Sequence, residues 1–321
     1  MLAIACPGQG SQTPGFLSPW LDLPGVADHL GGLSERAGID LIRHGTESDE
    51  DTIKDTAVAQ PLIVAAGLMT ARLLLQDYPL TAATVVAGHS VGELTASGIA
   101  GALSEDDAVA FVRVRANAMA EAAAATPTGM AAVLGGDPDD VAARLADLGL
   151  TAANANGGGQ VVAAGTLEQL AALADNPPAK ARVIALKVAG AFHTDHMSPA
   201  VTALEALRPR LTPTDPVGTL ISNHDGRPVA TGEGNLDSLI AQVSRPVRWD
   251  LCMDSMQAMG VSGLIELSPA GTLVGLAKRG MRGTATLAVK SPEDLDAARS
   301  FIEEHSRTTD LDPAPLPEGP Q

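Results

Sequence analysis

Apolar residues along this chain fall into two patterns. Short runs with almost no polar member alternate with longer stretches whose apolar residues recur every three or four positions. The first pattern suits strands covered on both faces of a parallel sheet, the second suits amphipathic helices. Leu2–Cys6, Thr84–Ala87, Val217–Ser222, Val261–Leu267 and Thr284–Val289 read as strands of that kind. Helices are expected at Ala59–Leu75, Glu93–Ala100, Met197–Leu211, Leu273–Arg279 and Pro292–Glu304. A further helix opens on the start signature Ser104-Glu105-Asp106-Asp107 and is expected to run to Ala124.

From Gly129 the pattern changes. Strands are expected at Met130–Leu134, Leu150–Ala155, Gln160–Ala164 and Arg182–Val188. Asp137-Pro138 opens one helix between them, and Thr166 with Gln169 opens a second that ends near Asp175. The order is βαββαβ, a ferredoxin-like unit. The chain therefore divides into an α/β core of residues 1–126 and 191–305 and an inserted unit of residues 127–190. The proline-rich, polar stretch 306–321 is expected to be a disordered tail.

Between the strand at Thr84 and the helix at Glu93 lies Gly88-His89-Ser90-Val91-Gly92, a G-x-S-x-G elbow. Strand before and helix after are the context in which this pattern presents an exposed serine. The helix dipole and the first free amide, that of Val91, then face any oxyanion formed beside Ser90. A serine nucleophile needs a base. Seven histidines are available: His29, His44, His89, His193, His196, His224 and His305. His193 follows the insert in a loop suited to a site, with His196 as its rival. His193, Asp195 and His196 are too few ligands for a metal site on spacing alone. Arg115 is the other anomaly. It falls in the middle of a helical face formed by Phe111, Val112 and Met119, where a cation must meet an anion or snorkel to solvent.

Composition narrows the class. A net charge of −17 excludes a nucleic-acid-binding face and sets any acidic protein partner against the overall field. Two cysteines, Cys6 and Cys252, cannot form a disulfide framework, in keeping with a reducing compartment. No apolar run reads as long enough to span a bilayer and no signal peptide is recognisable, so a cytoplasmic protein is expected. The glycine-rich Pro7-Gly8-Gln9-Gly10-Ser11-Gln12 loop lacks the lysine of a phosphate-binding loop.

That loop, Gly88-His89-Ser90-Val91-Gly92-Glu93, Arg115 and Gly190-Ala191-Phe192-His193 together resemble the malonyl-CoA:acyl-carrier-protein transacylase family. So do the segments Gln242–Trp249 and Glu266–Gly271. The resemblance covers about residues 1 to 290 and implies an α/β-hydrolase-like core with a ferredoxin-like insert. It implies Ser90 as nucleophile, His193 as base and the amides of Gln9 and Val91 as oxyanion hole. Arg115 would bind the malonyl carboxylate and Gln242 would position His193. His89, Phe192, Asn154, Asn156 and Gln60 would line the cleft. Cys6 departs from the aromatic residue common before the loop in that family. Malonyl-CoA would be substrate and an acyl carrier protein the acceptor, with no cofactor, no metal, no membrane and a monomeric enzyme. Lys278, Arg279 and Arg282 are the candidate docking patch for the acidic carrier. Fatty-acid biosynthesis is the expected setting, with a polyketide acyltransferase or a serine esterase or thioesterase as alternatives.

Overall fold

The computed structural model describes residues 1–306, so the expected tail lies, but for Ser306, outside the described residues. Two five-stranded sheets organise the chain. The first comprises β1 (Leu2–Cys6), β2 (Thr84–Gly88) and three later strands that are all parallel to them. In chain order the rest of the strands are β3 (Thr128–Gly135), β4 (Thr151–Gly157), β5 (Gln160–Thr166), β6 (Ala181–Ala185), β7 (Thr219–Ile221), β8 (Val247–Arg248), β9 (Gly263–Glu266) and β10 (Ala285–Ala288). The core order is β10-β9-β1-β2-β7.

Both faces of this sheet are covered, which is why its strands carry few polar members, Glu266 at the end of β9 being the buried charged one. Leu2, Ile4, Cys6 and Val86 enter one apolar cluster, while Ala3, Ala5, Val85 and Ala87 enter another on the opposite face. From β1 the chain moves to β2 on one side, and the strands on the other side come only near its end. The carboxyl ends of β1 and β2 therefore open into the crevice where parallel sheets bind ligands. The Gly8-Gln9 loop and the Ser90 elbow both sit there.

The second sheet has the order β6-β3-β5-β4-β8. Its first four strands pair antiparallel in the ferredoxin-like arrangement that the βαββαβ pattern predicts. Helices Pro138–Asp147 and Leu167–Asp175 cover one face, bringing Leu145 and Leu173 into one cluster with Val133 and Ala163 of the sheet. The other face turns Met130, Ala153 and Val162 toward the main core. β8, from far along the chain, adds parallel to β4 at Asn154 and Ala155 and stitches the two sheets together.

Several elements differ from expectation. β6 ends at Ala185, leaving Leu186–Val188 as irregular chain along the cleft. Helices Val26–Ala37, Gly232–Gln242 and Trp249–Ala258 are additions to that expectation; in the first, Val26, Leu30, Leu33 and Ala37 do recur at helical spacing, and in the other two glycine or scattered polar residues blur the period. Met197–Leu211 is broken into two short 3-10 turns flanking Ser198–Leu207, with prolines near the breaks. The helix expected from Ala59 begins at Thr56, and this corrects the view that no segment has the length of a bilayer span. Thr56–Leu75 is long and apolar enough by length and composition, and most of it is buried inside the protein. It is a core helix enclosed nearly all round.

Candidate active site

Gly88 and Gly92 create the elbow by having no side chain. A Cβ on Gly88 would lie 2.0 Å from the Gly92 carbonyl carbon, and one on Gly92 would lie 2.2 Å from the Cys6 carbonyl oxygen. Only glycine lets helix Gly92–Ile99 start this close to β1 and β2. Ser90 takes φ 53° as a result, a left-handed conformation rare outside glycine, and His193 has φ 61°. Strain of this kind persists only where the surroundings enforce it. The Asn223 side chain does so at Ser90: its Oδ1 accepts the Ser90 N–H at 2.8 Å and its Nδ2 donates to the Gly88 carbonyl at 2.7 Å.

His193 lies against Ser90, with Nε2 2.7 Å from the serine Oγ. Its Nδ1 is 2.8 Å from the Gln242 main-chain carbonyl. A carbonyl only accepts, so Nδ1 carries the proton and Nε2 is left as the acceptor for the serine hydroxyl. The carbonyl belongs to the last residue of helix Gly232–Gln242, whose negative dipole end faces the ring. Burial, with the nearby Arg115 charge, pushes the His193 imidazolium down to about 3. The ring is therefore neutral and ready to accept a proton. His196 is exposed and does not line the cavity, so it is not brought to the serine.

Arg115 reaches the site from the helix Glu105–Ala125 and is 1% exposed. Nη1 donates to Gln60 Oε1 at 2.7 Å, and Nη2 donates to Gln242 Oε1 at 2.8 Å and to Ser90 Oγ at 3.3 Å. None of these partners is a carboxylate, and Nε has no partner among the described residues. Burial lowers its pKa to about 10, which leaves it charged at neutral pH. Among the described residues no carboxylate pairs with it directly and it does not reach solvent: this is a buried cation beside Ser90, with the Glu93 charge opposing the effect of burial.

A cavity of about 290 Å³ opens over Ser90 and His193. Gln9, Gln60, His89, Asn154, Asn156 and Phe192 line it, whereas Arg115, Gln242 and Val91 stand behind its wall. A bulge in β4 on each side of Asn154 and Ala155 interrupts the pairing, and both Asn154 and Asn156 face the cleft. His89 Nε2 lies 2.9 Å from Asn156 Oδ1, linking the elbow to the inserted sheet. Gln60 reaches Gln9 Oε1 at 3.5 Å as well as Arg115. Gln242 does more than position His193. That duty falls to its main chain, while its side chain meets Arg115, Glu93 and the Ser90 carbonyl at 3.0 Å.

Two buried residues of the site had no assigned role in the sequence reading. Glu93 was visible only as the end of the elbow motif. Asn223 sits after a short strand, with no residue pattern to single it out.

An acyl transferase domain model matches residues 5–307. This chain belongs to the acyl transferase family. The transferase is 52% identical over 297 residues to malonyl CoA-acyl carrier protein transacylase of Mycobacterium tuberculosis, covering 92% of this chain and 98% of the relative. It superposes with a TM-score of 0.89 on a crystal structure of MCAT from Mycobacterium tuberculosis, at 51% identity and with 93% and 99% of the two chains covered. A solved complex of a type II PKS acyl-carrier protein with its malonyl-transacylase also matches, with a TM-score of 0.86, 28% identity and coverage of 93% and 99%.

Proposed function

We propose that this transferase moves the malonyl group of malonyl-CoA to the phosphopantetheine thiol of an acyl carrier protein, through a malonyl ester on Ser90. Fatty-acid synthesis is the setting that relatives with this name support. The observation that carries the substrate choice is the buried guanidinium of Arg115, which no carboxylate touches directly and which lies 3.3 Å from the Ser90 hydroxyl.

In the first half-reaction His193 Nε2 takes the Ser90 proton as Oγ bonds to the thioester carbon. The oxyanion lies toward the amides of Gln9 and Val91. The carbon–sulfur bond breaks, and the proton passes from imidazolium to the CoA sulfur. The carrier thiol then gives its proton to His193 as its sulfur bonds to the ester carbon, the carbon–Oγ bond breaks, and the proton passes from the imidazolium back to Ser90 Oγ. The Gln242 carbonyl takes the place that a carboxylate holds in a hydrolase triad. The residues of this cycle all lie within one chain, in keeping with a monomer in which residues 127–190 form a ferredoxin-like insert on the core. The cytoplasm suits such an enzyme.

Arg115 should distinguish malonyl from neutral acyl groups, because its fork grips a carboxylate through two parallel hydrogen bonds. Loss of one partner from a desolvated charge pair costs roughly 3–5 kcal/mol, on the order of a hundred- to several-thousand-fold in kcat/KM. Arg115→Ala is expected to lose malonyl loading by that factor while acetyl loading holds or rises, measured by parallel loading from the two thioesters. A uniform loss would remove the carboxylate grip.

Carrier docking falls to the exposed basic residues at the end of helix Thr272–Gly280. Arg279 lines the cavity mouth and donates to Gln160 Oε1 at 3.1 Å, so its substitution would disturb both half-reactions. Lys278 and Arg282 are exposed outside the cavity lining. Reversing both charges is expected to raise KM for an acidic carrier protein on the order of tenfold and leave malonyl-CoA loading intact. An unchanged carrier KM would place docking elsewhere.

A further inference from the structure

We infer that Glu93 is a positioning residue for substrate selection: it fixes the orientation of the Gln242 amide and, through it, the plane of the Arg115 guanidinium. This rests on the proposed role of Arg115 as the malonyl-carboxylate grip.

Glu93 opens the elbow helix, is 5% exposed and lines no part of the cavity over Ser90. Its two oxygens have separate donors. Oε1 accepts the main-chain N–H of Asn223, and Oε2 accepts Gln242 Nε2. The second proton of Gln242 Nε2 goes to the Ser90 carbonyl at 3.0 Å. Both amide protons thus face acceptors, and the amide oxygen is left facing Arg115 Nη2 at 2.8 Å. A flipped Gln242 amide would set its oxygen against a carboxylate and a carbonyl, and its NH2 against a cation. The acceptor-only carboxylate at 93 disfavours that flip.

Gln60 holds the opposite arm of the guanidinium at Nη1. With Gln60 and Gln242 both in place the guanidinium plane is set before substrate arrives. A bidentate grip needs that preset plane, since a small rotation breaks one of its two parallel bonds. Burial raises the Glu93 carboxyl to about 7, against the Asn223 and Gln242 hydrogen bonds and the Arg115 charge, and with an N–H donor on each of its oxygens the ionised form is the one this geometry accepts. A buried acid beside a nucleophile is a costly feature to retain with no task.

Glutamine at 93 has nearly the same shape but a single oxygen. That oxygen can meet the Asn223 N–H, which belongs to the main chain and cannot rotate. The new NH2 then confronts Gln242 Nε2, and Gln242 must turn or withdraw from Arg115. Aspartate is shorter but remains acceptor-only. The experiment measures loading of Ser90 from malonyl-CoA and acetyl-CoA in the full chain, for wild type, Glu93→Gln, Glu93→Asp and Arg115→Ala. Glu93→Gln is expected to lower the malonyl-to-acetyl ratio of kcat/KM on the order of ten- to a hundredfold, chiefly through KM for malonyl-CoA, with little change in Tm. Glu93→Asp should keep that ratio within about threefold of wild type, the scatter expected of one hydrogen bond.

Equal losses for both thioesters in Glu93→Gln, or a ratio lost in Glu93→Asp while kept in Glu93→Gln, would overturn the inference. If Glu93→Gln does not fold, the Glu93→Asp ratio decides alone: retained it stands, lost it falls. Arg115→Ala separates the two levels. A uniform loss there defeats the grip itself, whereas a selective loss there with an unchanged ratio in Glu93→Gln defeats only the part given to Glu93.

Discussion

Ser90→Ala is expected to abolish covalent loading altogether. Intact-mass measurement after mixing with malonyl-CoA should show the wild-type chain heavier by one malonyl group and the variant unchanged. Other hydroxyls do not stand in: Ser11 bonds to the Gly8 carbonyl, and Thr194 Oγ1 to the Ala191 carbonyl. Among the described residues Ser90 is the hydroxyl that combines the His193 ring at 2.7 Å with a place at the start of a helix. Adding acyl carrier protein to the loaded wild type should remove the added mass and transfer it to the carrier. Persistence of the adduct in Ser90→Ala would place the nucleophile elsewhere.

His193→Ala should slow loading by a factor on the order of 10² to 10⁴, the range for a positioned general base. The pH profile gives an independent sign. In water a histidine gains its proton as pH falls through about 6.5, whereas burial holds His193 neutral down to about 3. Loading from acetyl-CoA, measured in single turnovers, should therefore show no acid limb near pH 6.5. Stability moves the other way. Between those two values the unfolded histidine binds a proton and the folded one does not, so the His193 contribution is present above pH 6.5 and is lost as acid is added. Activity lost in acid should accompany unfolding, followed by circular dichroism in the same samples. An acid limb near pH 6.5 with the fold intact would mean that His193 is solvated as the substrate meets it.

Much of this site is local in origin. The elbow is a property of five consecutive residues, since glycine at both flanks is what allows the helix to begin against β1. The βαββαβ insert is likewise visible in order of elements, because hydrophobic period and helix caps are short-range features. Helix Glu105–Ala125 placed Arg115 on an apolar face by its period alone, and the residue is buried. What it met there was beyond the reach of periodicity.

By itself the sequence determined the elbow that presents Ser90, the anomaly of a cation on an apolar face, the α/β order and the family to which these motifs point. Tertiary structure alone decided how the cation is satisfied and how the base is held. The partners of Arg115 come from Gln60, Ser90 and Gln242, on three separate segments. The choice of His193 over His196 is three-dimensional too, since one ring turns to the serine and the other to solvent. Asn223 and Glu93 gained their roles in the same way, as hydrogen bonds closing across more than a hundred residues of chain. A hydrogen bond depends on where two atoms sit, within a few tenths of an ångström, and composition and period carry that information only within one element.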